Sequence, residues 1–273
     1  MLQVSQLFIY PIKSLGGIAK QQVEITHTGF KHDRRWMLVD EQNVFLTQRA
    51  HPQMALLQTA ETETGIAVMH KQDPSQSILI PFKNTAQTKT KVIVWDDVCD
   101  GLEVNTTLDE WFSDMLHFNC KLVYMPDDTK RLVDKRYAAN DEITSFSDGY
   151  PILMIGQLSL DNLNEKLVEA LPINRFRPNI VFTGGHAHIE DEMAAFEIND
   201  INFLGVKPCA RCMITTINQQ TAEAGKEPLR TLAGYRMKDN KIYFGQNVLQ
   251  QQEGVIKIGD EIKILQQREA FIS

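Results

Sequence analysis

The apolar residues of this chain arrive in short runs broken by turn formers, and that spacing restricts it to a fold built mainly from β-strands. Val4, Leu7 and Ile9, then Val23 and Ile25, then Trp36, Leu38 and Val44 are separated by Gly16-Gly17, by Gly29 and by the polar segment 40–43. Several runs show the apolar/polar alternation of a half-buried strand. Further strands are expected at 92–95, 150–155, 179–182, 201–206, 213–217, 241–248 and 255–265, the last broken at Gly259-Asp260. Helical spacing is rarer. Leu108, Trp111, Phe112, Met115 and Leu116 form a stripe behind a capping box of Thr107 and Glu110, and Leu160, Leu163, Leu167 and Leu171 follow Ser159 as a cap. Pro228 suits the first turn of a short helix carrying Leu229 and Leu232. Strands outnumber helices, no repeat with a period of about 20 to 50 residues is visible, and the expectation is an α+β fold, mainly β, with curled, barrel-like sheets.

With 273 residues, 43% of them hydrophobic, the chain can bury one large core or two modest ones. A net charge of -7 argues against nucleic acid or an anionic membrane as partner, because both require a basic face. No run approaches the roughly 20 apolar residues of a membrane span, and residues 1–6 lack the basic and apolar regions of a signal peptide. A cytoplasmic location is the expectation, with Cys99 and Cys120 as reduced thiols.

Half of the cysteine lies in one turn, Cys209-Ala210-Arg211-Cys212, expected to open into a strand at 213–217. A sulfur there, beside Lys207 and Arg211, is a candidate soft anionic ligand or nucleophile. Three ordinary readings compete. Structural zinc needs a second pair of Cys or His ligands, and none is spaced for it. A redox dithiol usually precedes a helix, whereas Met213-Ile214-Thr215-Thr216-Ile217 favours a strand. The third reading is a pair of small buried hydrophobes.

Other segments suit an anion. Asn174 to Asn179 carries Arg175 and Arg177 on alternate residues before Pro178, where two guanidinium groups could grip a phosphate. Tyr10-Pro11-Ile12-Lys13-Ser14 followed by Gly16-Gly17 offers an ammonium, a hydroxyl and backbone amides. Asp33-Arg34-Arg35-Trp36 adds cations at the start of a strand, whose alternation sends Arg34 and Arg35 to opposite faces. Each segment could equally be a solvated loop.

Together with Asp148-Gly149-Tyr150-Pro151, Phe176-Arg177-Pro178-Asn179, Cys209 to Cys212 with Thr215-Thr216, and Lys226-Glu227-Pro228-Leu229, these motifs occur in the order seen in MOSC-domain proteins, which the chain resembles over essentially its whole length. That group includes the mitochondrial amidoxime-reducing component and bacterial reductases of N-hydroxylated compounds. The resemblance implies a MOSC N-terminal β-barrel domain at 1–120 and a MOSC domain at 121–273, with the molybdenum cofactor, a molybdenum-bearing molybdopterin, bound between motifs. It carries metal ligation to Cys212, contacts to pterin and phosphate to Lys13, Ser14, Arg34 and Arg177, and weaker candidate contacts to Tyr150 and Asn179. Cys209 would support the ligand from behind.

The implied reaction is two-electron reduction of an N-hydroxylated substrate such as an amidoxime or a hydroxylamine, with Cys212 at the metal and Asp148 as a candidate for proton delivery. Asp148 could instead simply belong to a turn at Ser147-Asp148-Gly149. No cysteine follows Cys212, so no plant-type ferredoxin cluster is encoded after it. A separate electron donor is therefore expected: a reductase, a ferredoxin or a cytochrome b5-like protein. The MOSC group also resembles part of the molybdenum-cofactor sulfurases, which makes a non-catalytic carrier of cofactor or sulfur the alternative. Pyridoxal phosphate enters only through those sulfurases, and no domain for it is recognisable here.

Overall fold

The computed structural model describes residues 1–83 and 88–272. Seven strands close into a barrel: β1 (Leu2–Ile9), β2 (Ile152–Gly156), β3 (Ile180–Thr183), β4 (Met193–Ile198), β5 (Ile201–Ala210), β6 (Lys241–Gln250) and β7 (Glu261–Gln267). Their order is β2-β3-β1-β7-β4-β5-β6, and β6 returns to β2 through the pairs Ile152↔Val248 to Met154↔Gln246. Closure satisfies the hydrogen-bonding edges that an open sheet would expose. Only β2 and β3 run parallel, and the helix Gln157–Asn164 lies in the crossover that a parallel pair requires.

Alternation explains which side chains fill this barrel. Burial in β1 shifts from Leu2 and Val4 to Leu7 and Ile9, a change of parity that coincides with a register shift between Val4 and Gln6 against β3. Phe196 and Phe203 are cross-strand partners whose rings stack with centroids 5.3 Å apart, beside Phe182, Met154 and Val248. Filling a core with fully buried aromatics contributes several kcal/mol, on the order of 2 to 3 per side chain.

A second body packs beside the barrel. Its four-stranded sheet runs Trp36–Val39, Lys121–Tyr124, Asp97–Glu103, Lys89–Val94, and its meander runs Leu57–Glu61, Gly65–His70, Asp73–Pro81. The helix Thr106–Leu116 buries Leu108, Phe112 and Leu116 against Trp36, Leu38, Leu57 and Leu122. A cut between residues 120 and 121 would remove Lys121–Tyr124 from the sheet it completes, and β1, although N-terminal, belongs to the barrel. Gln22–Thr26 likewise pairs with Gly254–Lys257.

Several local expectations are corrected. Helix Thr106–Leu116 is capped by Asn105, whose side chain accepts from the Leu108 amide at 2.9 Å, while Thr107 and Glu110 are exposed. Ser159 lies inside helix Gln157–Asn164 and donates to Glu190 Oε2 at 2.8 Å, so it is not a cap. That helix ends before Leu167 and Leu171, because the Asn164 side chain bonds both the amide and the carbonyl of Leu171 and turns the chain. The expected strand at 213–217 is a 3-10 turn, Met213–Thr216, closed by Thr215 N and Oγ1 donating to Cys212 O at 3.2 and 3.0 Å. Local hydroxyl bonding here overrides β-branched propensity.

Candidate functional site

A cavity of about 260 Å³ opens where one end of the barrel meets the second body. Its walls come from the segment after β1, the starts of β2 and β3, and the end of β5. All the sequence-selected residues Lys13, Ser14, Arg34, Asp148, Tyr150, Arg177, Asn179, Cys209 and Cys212 line it.

β5 shows how folding aims side chains here. Ile201, Phe203 and Gly205 alternate inward, and continued alternation would send Lys207 and Cys209 into the barrel. Register shifts between Gly205 and Lys207 and between Pro208 and Ala210 reset the strand, so that Lys207, Cys209 and Cys212 line the cavity instead. Pro208, which cannot donate to a ladder, sits at these irregularities.

The cavity floor is cationic and rigid. Ser14, Arg34 and Arg177 all have left-handed φ values, 67°, 51° and 56°. Such backbone costs a non-glycine residue about 1 to 2 kcal/mol and collects at functional sites. Ile12 and Leu15, fully buried, anchor the turn that carries Lys13 and Ser14, and Gln48 Nε2 donates to Ser14 O at 2.6 Å. Arg34 is held by the buried carboxylate of Asp33, by Asn179 Oδ1 at 3.2 Å and by Arg177 O at 3.4 Å. Burial opposes its charge, but Asp33 outweighs burial and raises its pKa. Arg35 turns away, donating at 2.6 Å to both Met125 O and Asp127 Oδ1; the left-handed bend at Arg34, rather than strand alternation, separates the pair.

Arg177 donates through Nη1 to Leu15 O at 2.7 Å, while its buried Nη2 has no partner among the described residues. Burial pulls its pKa down to about 10. A desolvated guanidinium with a free donor favours an anion beside it. The Tyr10 ring lies 4.2 Å from the Arg177 guanidinium carbon and 4.8 Å from that of Arg34. Asn179 lines the cavity although only 1% exposed; its Nδ2 donates to Phe8 O and its Oδ1 accepts from Arg34 and Leu153 N, all at 3.2 Å. It stitches β1, β2 and β3 together and positions Arg34.

At the mouth, Lys13 Nζ donates to Phe146 O at 2.8 Å and Asp148 Oδ1 at 2.6 Å. Burial draws the Lys13 pKa down to about 8 although Asp148 opposes it. Asp148 keeps 66% of its side chain exposed; against the desolvation of the cavity wall, the Lys13 ammonium and the Trp95 indole hold its carboxyl below the usual range. Buried Arg131 donates to Ser145 O at 2.9 Å and Ser147 O at 2.6 Å and fixes the course of the loop that carries Asp148. Tyr150 packs edge-on against Tyr137, and burial raises its pKa.

Cys212 is half-buried on the wall and ends the extended segment before the 3-10 turn. Arg211 donates through Nη1 to Cys209 Sγ at 3.1 Å and through Nη2 to Phe176 O at 2.6 Å, tying the cysteine turn to the Arg177 segment. Arg175 does not join Arg177 in an anion grip. Its Nε donates to Thr215 O at 2.9 Å and its Nη2 to Glu227 O at 3.3 Å, bracing the loop behind Cys212. A soft sulfur above a desolvated basic floor fits an anionic ligand that carries a soft metal. Gln48 and Arg131 carry no local signal in the sequence. Trp95, expected to end a strand at 92–95, lies instead in the turn after Lys89–Val94.

Residues 1–119 match the MOSC N-terminal beta barrel domain and residues 141–263 match the MOSC domain. Mitochondrial amidoxime-reducing component 1 of Mus musculus is 30% identical over 97% of this chain and 82% of that protein. Its Homo sapiens counterpart is 30% identical over 97% of this chain and 83% of that protein. The Molybdenum cofactor sulfurase of Arabidopsis thaliana is 26% identical over 95% of this chain but only 35% of the sulfurase.

Proposed function

The chain belongs to the MOSC-domain family, and from that premise we propose that it binds the molybdenum cofactor and reduces N-hydroxylated compounds with electrons from a separate protein. The observation that carries the proposal is the placement of Cys212 in one cavity with Lys13, Ser14, Arg34 and Arg177, the last with a buried donor that has no partner among the described residues. Cys212 would be the protein ligand to the metal. Arg177 and Arg34 would clamp the cofactor's phosphate, with Lys13 and Ser14 on the adjoining wall and Tyr150 beside the pterin. When bound, the cofactor supplies two-electron chemistry at molybdenum.

Reduction of an N-hydroxyl group breaks the N–O bond, consumes two electrons and two protons, and yields the N–H product and water. Proton handling falls to the cavity mouth. Asp148 is held ionised by the Lys13 ammonium, so the proton at the mouth sits on Lys13 Nζ, and Asp148 would serve to steer a replacement from solvent once Lys13 had given its proton toward the substrate. The electron donor would be a reductase, a ferredoxin or a cytochrome b5-like carrier, and a cytoplasmic site of action remains part of the proposal. Among the described residues no helix is long and apolar enough to cross a membrane.

The likeness to the sulfurase supports a second reading, a carrier of cofactor or sulfur. One experiment separates them. Cofactor-loaded protein is given an artificial donor and an amidoxime or hydroxylamine; turnover supports the reductase, whereas no turnover combined with cofactor transfer to an apo-enzyme supports the carrier.

A further inference from the structure

A second cavity of about 420 Å³ adjoins the first along Asp148, Gly149, Tyr150 and Lys207, and Trp95 forms part of its wall. Trp95 stands in the two-residue connection between Lys89–Val94 and Asp97–Glu103 with φ 59°. Such turns favour glycine or asparagine at that position, and a bulky residue there is strained. The indole is nonetheless fixed in place. Its ring lies 5.1 Å from that of Phe45, the Arg49 guanidinium carbon lies 4.1 Å from its centroid, and Nε1 donates to Asp148 Oδ1 at 3.2 Å. Even so it keeps 42% of its surface exposed.

We propose that Trp95 is a specificity-determining platform on which the flat body of an aromatic N-hydroxylated substrate rests while its N–OH group reaches the Cys212 cavity. This rests on the reductase reading and names the substrate class of the same site. The strained turn holds an aromatic face at the junction of the two cavities, where local preference alone would have placed a small residue. Leu132, 44% exposed, supplies an aliphatic surface in the same cavity.

The test is calorimetric titration of the cofactor-loaded protein with benzamidoxime and with the aliphatic acetamidoxime, together with the KM for reduction of each. Benzamidoxime is expected to bind about tenfold or more tightly than acetamidoxime, and Trp95→Asn to weaken benzamidoxime about tenfold, the scale of one aromatic contact. Trp95→Phe should retain most of the affinity. Asparagine suits the left-handed turn, and unchanged molybdenum content in that variant shows that the fold is intact. Equal affinity for both ligands, no binding of benzamidoxime at all, or unaltered binding in Trp95→Asn overturns the proposal. Binding that depends on Trp95 without any turnover upholds the platform and overturns the reductase reading instead.

Discussion

Among single residues, one sulfur and two guanidinium groups would do most to hold the cofactor. Cys212→Ser should abolish turnover but spare part of the cofactor binding, because the phosphate clamp is independent of the metal bond; Cys209→Ser should be milder, since that sulfur is turned toward Arg211. Molybdenum content and activity of the two variants, measured together, check this, and equal total loss would point to a paired-thiol site. Arg177→Ala should lower cofactor occupancy, as it removes charge-assisted bonds worth about 1.5 to 3 kcal/mol each; full occupancy in that variant would reduce Arg177 to a structural role. These residues were legible because their chemistry is unusual in context: a Cys-x-x-Cys turn, and arginines gathered in an acidic chain. Arg175 misled for a physical reason. Sequence shows that a side chain can donate, but not that Thr215 O and Glu227 O already take that capacity.

At the scale of elements, local hydrogen bonds decided where the sequence pattern misplaced caps and strands. The helix Thr106–Leu116 gives a clean discrimination. Asn105→Ala should cost about 1 kcal/mol in urea unfolding while Thr107→Ala should cost near nothing; the reverse order would restore the capping box. Alternation located most barrel strands, yet the irregularities in β5 that turn Lys207 and Cys209 toward the cavity leave no local signal beyond Pro208. The 3-10 turn after Cys212 was hidden for a related reason. Met213 to Ile217 carries strand-forming side chains, and only the folded backbone shows that the Thr215 hydroxyl closes on Cys212 O.

At the scale of the whole molecule, closure of the barrel is non-local: β1 pairs with β3 and β7, and β6 returns to β2, so sequence could suggest curled sheets but not which strands meet. Where the barrel meets helix Gln157–Asn164, closure buries Glu190 completely, with its carboxyl accepting from Gly156 N at 3.2 Å and Ser159 Oγ at 2.8 Å. Burial raises its pKa from 4.5 to about 7. A raised folded-state value means that the stabilisation is complete below the unfolded pKa and is lost as pH rises through the folded one. Glu190→Gln should therefore gain on the parent protein as pH rises from about 4.5 to 7, by up to about 3 kcal/mol, and the gap should close in acid. Denaturant melts across that range check it, and a pH-independent difference would contradict the assignment. Bonding of Cys212 to molybdenum is tested by molybdenum K-edge X-ray absorption of the loaded protein and of Cys212→Ser. One fewer sulfur in the metal's first coordination sphere of the variant is the predicted result; an unchanged sulfur count, or a wild-type protein loaded with zinc in place of molybdenum, would contradict it.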